Sequence, residues 1–259
     1  MTARPVRHWQ DMTTAEIAAA DTGRLIAVLP LGAVEQHGPH LPLSTDRAIA
    51  DGVLARVLEL LPDALPAVLL PTQPVGLSTE HRTFPGTLTA SPGTLLSLWT
   101  EIGASVARAG IRKLVLFNSH GGQSKLAGVA AQQLRSDHHL LVVDHHCYRI
   151  WRDSPLFGEE ERREGIHGGG IETSIMLALD PDSVRAEETQ EFDSAARGTA
   201  VPFAWEIQDL NPAGALGDAS DADAERGRAL IDAAARQFAD LLAEIDRLDP
   251  DVVLKDHGR

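Results

Sequence analysis

A chain of 259 residues, 43% hydrophobic and 23% charged, is long enough to bury roughly three quarters of its unfolded surface without disulfides. Its single cysteine, Cys147, excludes an intramolecular disulfide framework and any cysteine-rich zinc module. The formal net charge of −14 is the reverse of what a phosphate-tracking nucleic-acid binder carries, and no apolar run reaches the roughly 20 residues of a membrane-spanning helix.

Residues 1–12 combine Arg4, Arg7, Trp9 and Asp11 with no apolar core, unlike a secretion signal. The expected location is the cytoplasm, where an unpaired cysteine stays reduced. The run 25–32 (LIAVLPLG) lacks polar alternation and reads as a strand buried on both faces. Residues 46–61 place Ile49, Val53, Val57 and Leu60 at helical spacing, with Ser44 or Thr45 predicted as the cap. A second buried strand is expected at 67–72. Ser91 and Pro92 open a helix with Leu95, Leu98, Ile102 and Val106 on one face, closed by Gly110. Residues 113–117 (KLVLF) form a third strand, 124–135 the next helix, and 140–144 (LLVVD) a fourth strand. The run Glu159–Glu164 (EEERRE) mixes both signs and reads as a solvated surface helix. A short helix starts near Ile171, residues 181–220 are excursions of weak periodicity, and a long helix covers 221–247. Strands alternating with helices imply right-handed crossovers and a mostly parallel central sheet covered on both faces. The expected fold is a three-layer α/β/α sandwich, a single domain over residues 1–259.

Ligands of open α/β sheets bind at the carboxyl ends of the strands, so the residues just past each strand carry the chemistry. Glu35, His37 and Asp46 follow the first strand. Asn118, Ser119, His120, Gly121 and Gly122 follow the third, and Asp144, His145 and His146 the fourth. His167 and Glu172 stand at a later helix entrance. Glu35 and His37 are two apart, so an extended segment projects both to one side. Carboxylate oxygen with imidazole nitrogen is the ligand set of Zn, Mn or Fe, and a carboxylate such as Asp46 can bridge two ions roughly 3.5–4 Å apart. Gly121 and Gly122 free backbone N–H groups at a helix start, a suitable place for an oxyanion. On the residues alone, a solvated or capping role for His37, Asp46 or His120 stays open. The pairs His138–His139 and His145–His146 read as structural, with His145 the strongest exception. No nucleophile elbow, Walker loop or dinucleotide fingerprint is present, and Cys147 reads as buried filler.

The segment 29–43 (LPLGAVEQHGPHLPL), with Thr45 and Asp46 after it, resembles the signature of the creatininase family. Segments 80–87 (EHRTFPGT), 118–122 (NSHGG), 167–174 (HGGGIETS) and 214–218 (GALGD) resemble the family's other motifs in the same order, so the likeness spans about residues 25–245. The resemblance implies an α/β/α layered fold, usually a homohexamer, with two divalent metal ions per active site. Carried over by position, Glu35, Asp46 and His120 would hold one ion, and His37 and Asp46 the second, with Asp46 bridging. Family members hydrolyse an amide C–N bond in a cyclic amide, a formamide or a precursor peptide, so the expected partner is a small-molecule amide, cleaved by a dimetal-activated water. His167 resembles a histidine that acts as acid/base in the creatinine-hydrolysing members.

Two departures stand against creatinine itself. Those members carry a glutamate ligand where this chain has Gly122; Glu172, in a His-x-x-x-x-Glu pattern, is the substitute, or else a first-turn carboxylate favoured by the helix dipole. They also close tryptophans over the substrate, and here only Trp151 lies in a matching place, open equally to a core or subunit-contact role. Glu80 and His81 are expected to line the pocket with Gly121, Gly122 and Trp151. The rival readings are a single-metal hydrolase or lyase using Glu35, Asp46 and His120, and a non-catalytic protein binding a small ligand.

Overall fold

The computed structural model describes residues 7–196 and 203–255; Arg4 and residues 197–202 of the 181–220 stretch lie outside them. After the short helix α1 (Thr14–Ala19), four parallel strands form the central sheet: β1 (Ile26–Leu31), β2 (Ala67–Leu69), β3 (Lys113–Asn118) and β4 (Leu141–His146). Their order is β2–β1–β3–β4. Helices α2 (Thr45–Leu60), α3 (Pro92–Arg108) and α4 (Ser124–His138) make the crossovers between them. Beyond β4 come α5 (Tyr148–Arg152), α6 (Glu159–Glu164) and α7 (Gly170–Leu179). There follow β5 (Glu191–Phe192), α8 (Ile207–Leu210), β6 (Gly217–Asp218), the long α9 (Ala224–Arg247) and the short α10 (Pro250–Val253); β5 and β6 pair antiparallel as a small second sheet.

The apolar strands are buried on both faces because successive side chains alternate between two cores. Ala27, Leu29, Leu31, Leu114 and Leu116 pack against α3 and α4 through Leu95, Trp99 and Leu134. Ile26, Val28, Val115 and Phe117 face α2, α7 and α9 through Val53, Ile175 and Phe238. Each such aliphatic or aromatic side chain, once buried, contributes about 1.5–3 kcal/mol. Helix α9 lies so close to α7 that a Cβ on Gly227 would overlap the Ser174 carbonyl oxygen.

The order β2–β1–β3–β4 places the reversal of winding between β1 and β3, and the crevice beyond their carboxyl ends is where such sheets take ligands. Glu35 and His120 leave the sheet on the two sides of that crevice.

Two local expectations are corrected. Ser44 stands at the N-cap of α2, but its φ of −90° and ψ of 7° are not the extended conformation a capping side chain needs, and it makes no cap bond. The Thr45 hydroxyl instead donates to the Pro42 carbonyl at 2.7 Å. The run Glu159–Glu164 is helical but not wholly solvated. Glu161 turns inward and accepts from Asp218 N at 2.7 Å and Ile171 N at 3.3 Å, because the amides of β6 and of the first turn of α7 need a partner there.

Candidate metal centre

Short-range features of the sequence aim each polar side chain into the crevice. After β1, Val34 bridges to Leu88 and His37 to Leu41, which keeps Glu35 and His37 in an extended segment. Gly38 then reverses the chain at φ +69°. Asp46 sits buried in the first turn of α2, where the helix dipole favours a carboxylate. Past β3, Asn118 clamps His120 twice, accepting from its N–H at 3.1 Å and donating to its carbonyl at 2.8 Å. The bridge between His167 and Leu216 ties the entrance of α7 to segment 214–218.

Three histidines share one arrangement. His120 Nε2 donates to the Leu77 carbonyl at 2.8 Å, His37 Nδ1 to the Glu35 carbonyl at 3.1 Å, and His167 Nε2 to the Gln36 carbonyl at 2.7 Å. A carbonyl can only accept, so the outward nitrogen of each ring carries a proton, and in the neutral ring the inward nitrogen presents a lone pair. Those lone pairs point at carboxylates. His120 Nδ1 is 3.2 Å from Glu35 Oε1 and 3.4 Å from Asp46 Oδ2. His37 Nε2 is 3.6 Å from Asp46 Oδ1 and 3.9 Å from Glu172 Oε2, and His167 Nδ1 is 3.7 Å from Glu35 Oε1. Lone pair facing anion is repulsive unless a cation or a proton stands between them.

Glu35 Oε1 and Oε2, His37 Nε2 and Asp46 Oδ2 are buried without a hydrogen-bond partner, a costly state for polar atoms. The atoms group within 4.8 Å as Glu35–Asp46–His120, as His37–Asp46–Glu172 and as Glu35–His37–His167. Asp46 belongs to the first two groups through different oxygens. The donor set, the orphaned atoms and the backbone-anchored imidazoles all fit a divalent cation.

The electrostatics agree. Burial lifts the Glu35 carboxyl to about 7, and burial likewise raises Glu172. Burial works against charge on His37, but Asp46, Glu172 and Glu35 outweigh it and raise the imidazole to about 9. His120 is raised in the same way, its burial overcome by Glu35 and Asp46. The burial of Asp46 is outweighed by His37 and His120, which hold its carboxyl well below the usual range. His167 goes the other way: burial, then the neighbouring His37 and His81, push it well below its ordinary value.

His81 differs from these three. Gln36 Nε2 donates to His81 Nδ1 at 2.8 Å and to the Gly214 carbonyl at 2.8 Å, while Gln36 Oε1 accepts from Gly38 N at 2.9 Å. In the neutral ring the inward His81 Nε2 therefore carries the proton and lies 3.5 Å from Glu35 Oε1, without a hydrogen bond. Burial lowers His81 to about 3 and keeps it neutral. Gln36 is thus an organiser of the site that sequence reasoning passed over; its place inside the motif 29–43 was the available signal.

Glu35, Asp46, Glu172, Glu80, His81, Gly121, Gly122 and Trp151 line a single cavity of about 610 Å³. Glu80 Oε1 lies 3.6 Å from His120 Nε2. Glu172 sits in the first turn of α7, as foreseen for a carboxylate favoured by the helix dipole, and accepts from Gly168 N at 2.7 Å. Trp151 is buried against the core as well as bordering the cavity. It is not alone there: Trp205 and Phe203 border the same space, brought in by a segment whose weak periodicity hid its position. His145 lies elsewhere, between the rings of Phe117 and Phe238. His146 pairs with Asp144 at 3.1 Å, and Cys147 is buried with its thiol pushed up by that burial.

Comparisons with known proteins agree with this architecture. The family model for creatininase, described as creatinine amidohydrolase, matches residues 10–242. The chain is 31% identical over 230 residues to the mycofactocin precursor peptide peptidase of Mycolicibacterium smegmatis, covering 87% of this chain and 86% of that one. It is 29% identical over 254 residues to the creatinine amidohydrolase of Pseudomonas putida, covering 89% and 92%. A solved structure titled "Creatininase Mn" superposes with a TM-score of 0.80 at 26% identity, over 94% of this chain and 100% of the other. No helix among the described residues is long and apolar enough to cross a membrane. The chain belongs to the creatininase family, a family of metal-dependent amidohydrolases.

Proposed function

We propose that this protein hydrolyses the amide C–N bond of a cyclic amide, a formamide or a short peptide-like molecule at the centre built on Asp46. Two divalent ions, Zn, Mn or Fe, would be held by Glu35, Asp46 and His120 and by His37, Asp46 and Glu172. The observation that carries this reading is the set of backbone-anchored imidazoles whose lone pairs face buried, unpartnered carboxylate oxygens. When bound, such a pair supplies Lewis acidity toward the carbonyl and an acidified water as nucleophile.

The remaining work falls to the chain itself. His167 is neutral at rest with Nδ1 unprotonated, so it first takes a proton at Nδ1 from the attacking water. It then delivers that proton to the leaving nitrogen, without which expulsion of the amine is slow. The His81 Nε2–H stands beside Glu35, and the Gly121 and Gly122 amides border the position of the oxyanion. Glu80, His81, Trp151, Gly121 and Gly122 form the substrate wall. Gly122, covered by Glu80, supports a substrate other than creatinine. A homohexamer and a cytoplasmic location belong to the same reading, the first through the family likeness, the second through a sequence that keeps a single, unpaired cysteine.

The test is elemental analysis of the purified protein, followed by a panel of lactams, formamides and short peptides with the dominant metal restored. Two ions per chain and turnover of one amide class are expected, both lost in Asp46→Asn. Full turnover by the chelated protein would sink the reading.

A further inference from the structure

The cavity that holds the acidic centre is bordered by side chains of the opposite sign. Lys125 in the first turn of α4, Arg149 and Arg152 on α5, and Arg162 on α6 line the same space as Glu35, Asp46 and Glu172. Elsewhere on this acidic molecule some arginines are paired, Arg24 with Asp246 at 2.7 Å, Arg56 with Asp232 at 2.6 Å and Arg82 with Glu206 at 3.0 Å, while others such as Arg185 reach only carbonyl oxygens. The four cavity cations make no such ion pair among the described residues. Arg162 Nε is buried with no hydrogen-bond partner, and its Nη1 reaches only the Arg152 carbonyl, at 3.5 Å. The elements carrying these cations are tied together, since the Tyr148 hydroxyl at the start of α5 meets Ser124 Oγ at the start of α4 at 2.7 Å.

Like charges gathered at one rim repel one another, and an unpaired guanidinium with a buried Nε lacks its hydrogen bond; an arriving anion relieves both. The guanidinium fork matches carboxylate and phosphate oxygens, and a cationic rim also draws anions toward the cavity. Cationic side chains cannot ligate a metal ion, so their place on the cavity that holds Glu35, Asp46 and Glu172 calls for another role.

We propose that this rim is an anion subsite: the amide substrate carries a carboxylate or a phosphate away from the scissile bond, held by Lys125, Arg149, Arg152 and Arg162. The word substrate rests on the hydrolytic reading above; the binding of an anion does not.

The probes are 4-acetamidobenzoate, 4-acetamidophenyl phosphate and the uncharged 4-acetamidobenzamide, titrated calorimetrically into the metal-loaded full chain. At least one anionic probe should bind about tenfold or more tighter than the uncharged one, as expected for one or two charge-assisted hydrogen bonds. Which anion wins tells carboxylate from phosphate. The preference should disappear in the double variant Arg149→Gln/Arg152→Gln and persist in Arg163→Gln, an exposed cation of α6 already paired with Glu164. Equal binding of all three probes, no binding of any, or a preference kept in the double variant overturns the proposal; the last outcome means the anion goes to the metal. Absence of amide cleavage with the preference intact would count against the hydrolytic reading alone.

Discussion

Glu80 fills the space above Gly122: a Cβ on that glycine would overlap Glu80 Oε1 and stand 2.7 Å from His120 Nε2. A carboxylate from another segment thus covers Gly122 beside His120.

Gly122→Ala should therefore push Glu80 aside and press on His120, whose Nε2 is already committed to the Leu77 carbonyl. We expect a loss of roughly tenfold or more in amide turnover, on the scale of about 1.4 kcal/mol per decade, with weaker metal retention. Gly93→Ala, in the first turn of α3 and away from the cavity, is the control, because a Cβ there meets nothing within 4 Å. Comparable losses in the two variants, measured as kcat/KM and metal content, would remove Glu80 from the account.

The same pair shows what could and could not be read from the chain. Glu35, His37, Asp46 and His120 were legible because they stand just past apolar strands, and parallel α/β sheets gather those points at one edge. The four strands and the main helices were legible for the same reason, being uninterrupted apolar runs or helical spacings. What Glu80 meets depends on how segment 80–87 packs beside His120 and Gly122, a non-local contact with no periodic trace. Gln36 and Trp205 escaped likewise, since their partners lie far along the chain. Glu161 was misread because a mixed-charge run cannot tell which of its carboxylates a backbone amide will claim.

Glu172 separates the two-ion reading from its one-ion rival. Its Oε2 faces His37 Nε2 at 3.9 Å, whereas Glu35 and Asp46 surround His120. Glu172→Gln should lower bound metal from about two ions per chain to about one, and Glu35→Gln should spare the ion near His37. In chelator the order reverses: Glu172→Gln should melt above the wild type, because it removes a carboxylate that burial and Asp46 already penalise. Elemental analysis and melting with and without chelator read both effects. Unchanged stoichiometry in Glu172→Gln would confine that residue to capping α7.

Cys147 follows β4 and lies fully buried, with burial raising its thiol far above the ordinary range. A thiol held protonated is a poor nucleophile. In the native protein a disulfide reagent at pH 8 should leave Cys147 unmodified, and denaturant should release one reactive thiol per chain. Cys147→Ala should keep its kcat and lose about 1 kcal/mol of stability to the small cavity left behind. Rapid native labelling accompanied by inactivation would return the cysteine to the list of catalytic candidates.

His145 sets a pH dependence distinct from the metal centre. Burial beside Phe117 and Phe238 lowers its imidazole from an ordinary 6.5 to about 4. Between those values the unfolded chain binds the proton and the folded chain does not, so stability is present above pH 6.5 and is lost as pH falls toward 4. Between pH 7 and 5 this one group costs about 2 kcal/mol, from about 1.4 kcal/mol per pH unit below the unfolded value. His145→Phe keeps an aromatic ring in that contact and has no proton to bind. Urea unfolding of the metal-free chain across this range should therefore give curves that converge toward high pH and separate by about 2 kcal/mol on acidification, the variant falling less steeply. Metal-centre histidines titrate identically in both proteins and cancel in the difference. Parallel curves would mean that water reaches the His145 ring in the folded state and that its burial against Phe117 and Phe238 does not exclude the charged form.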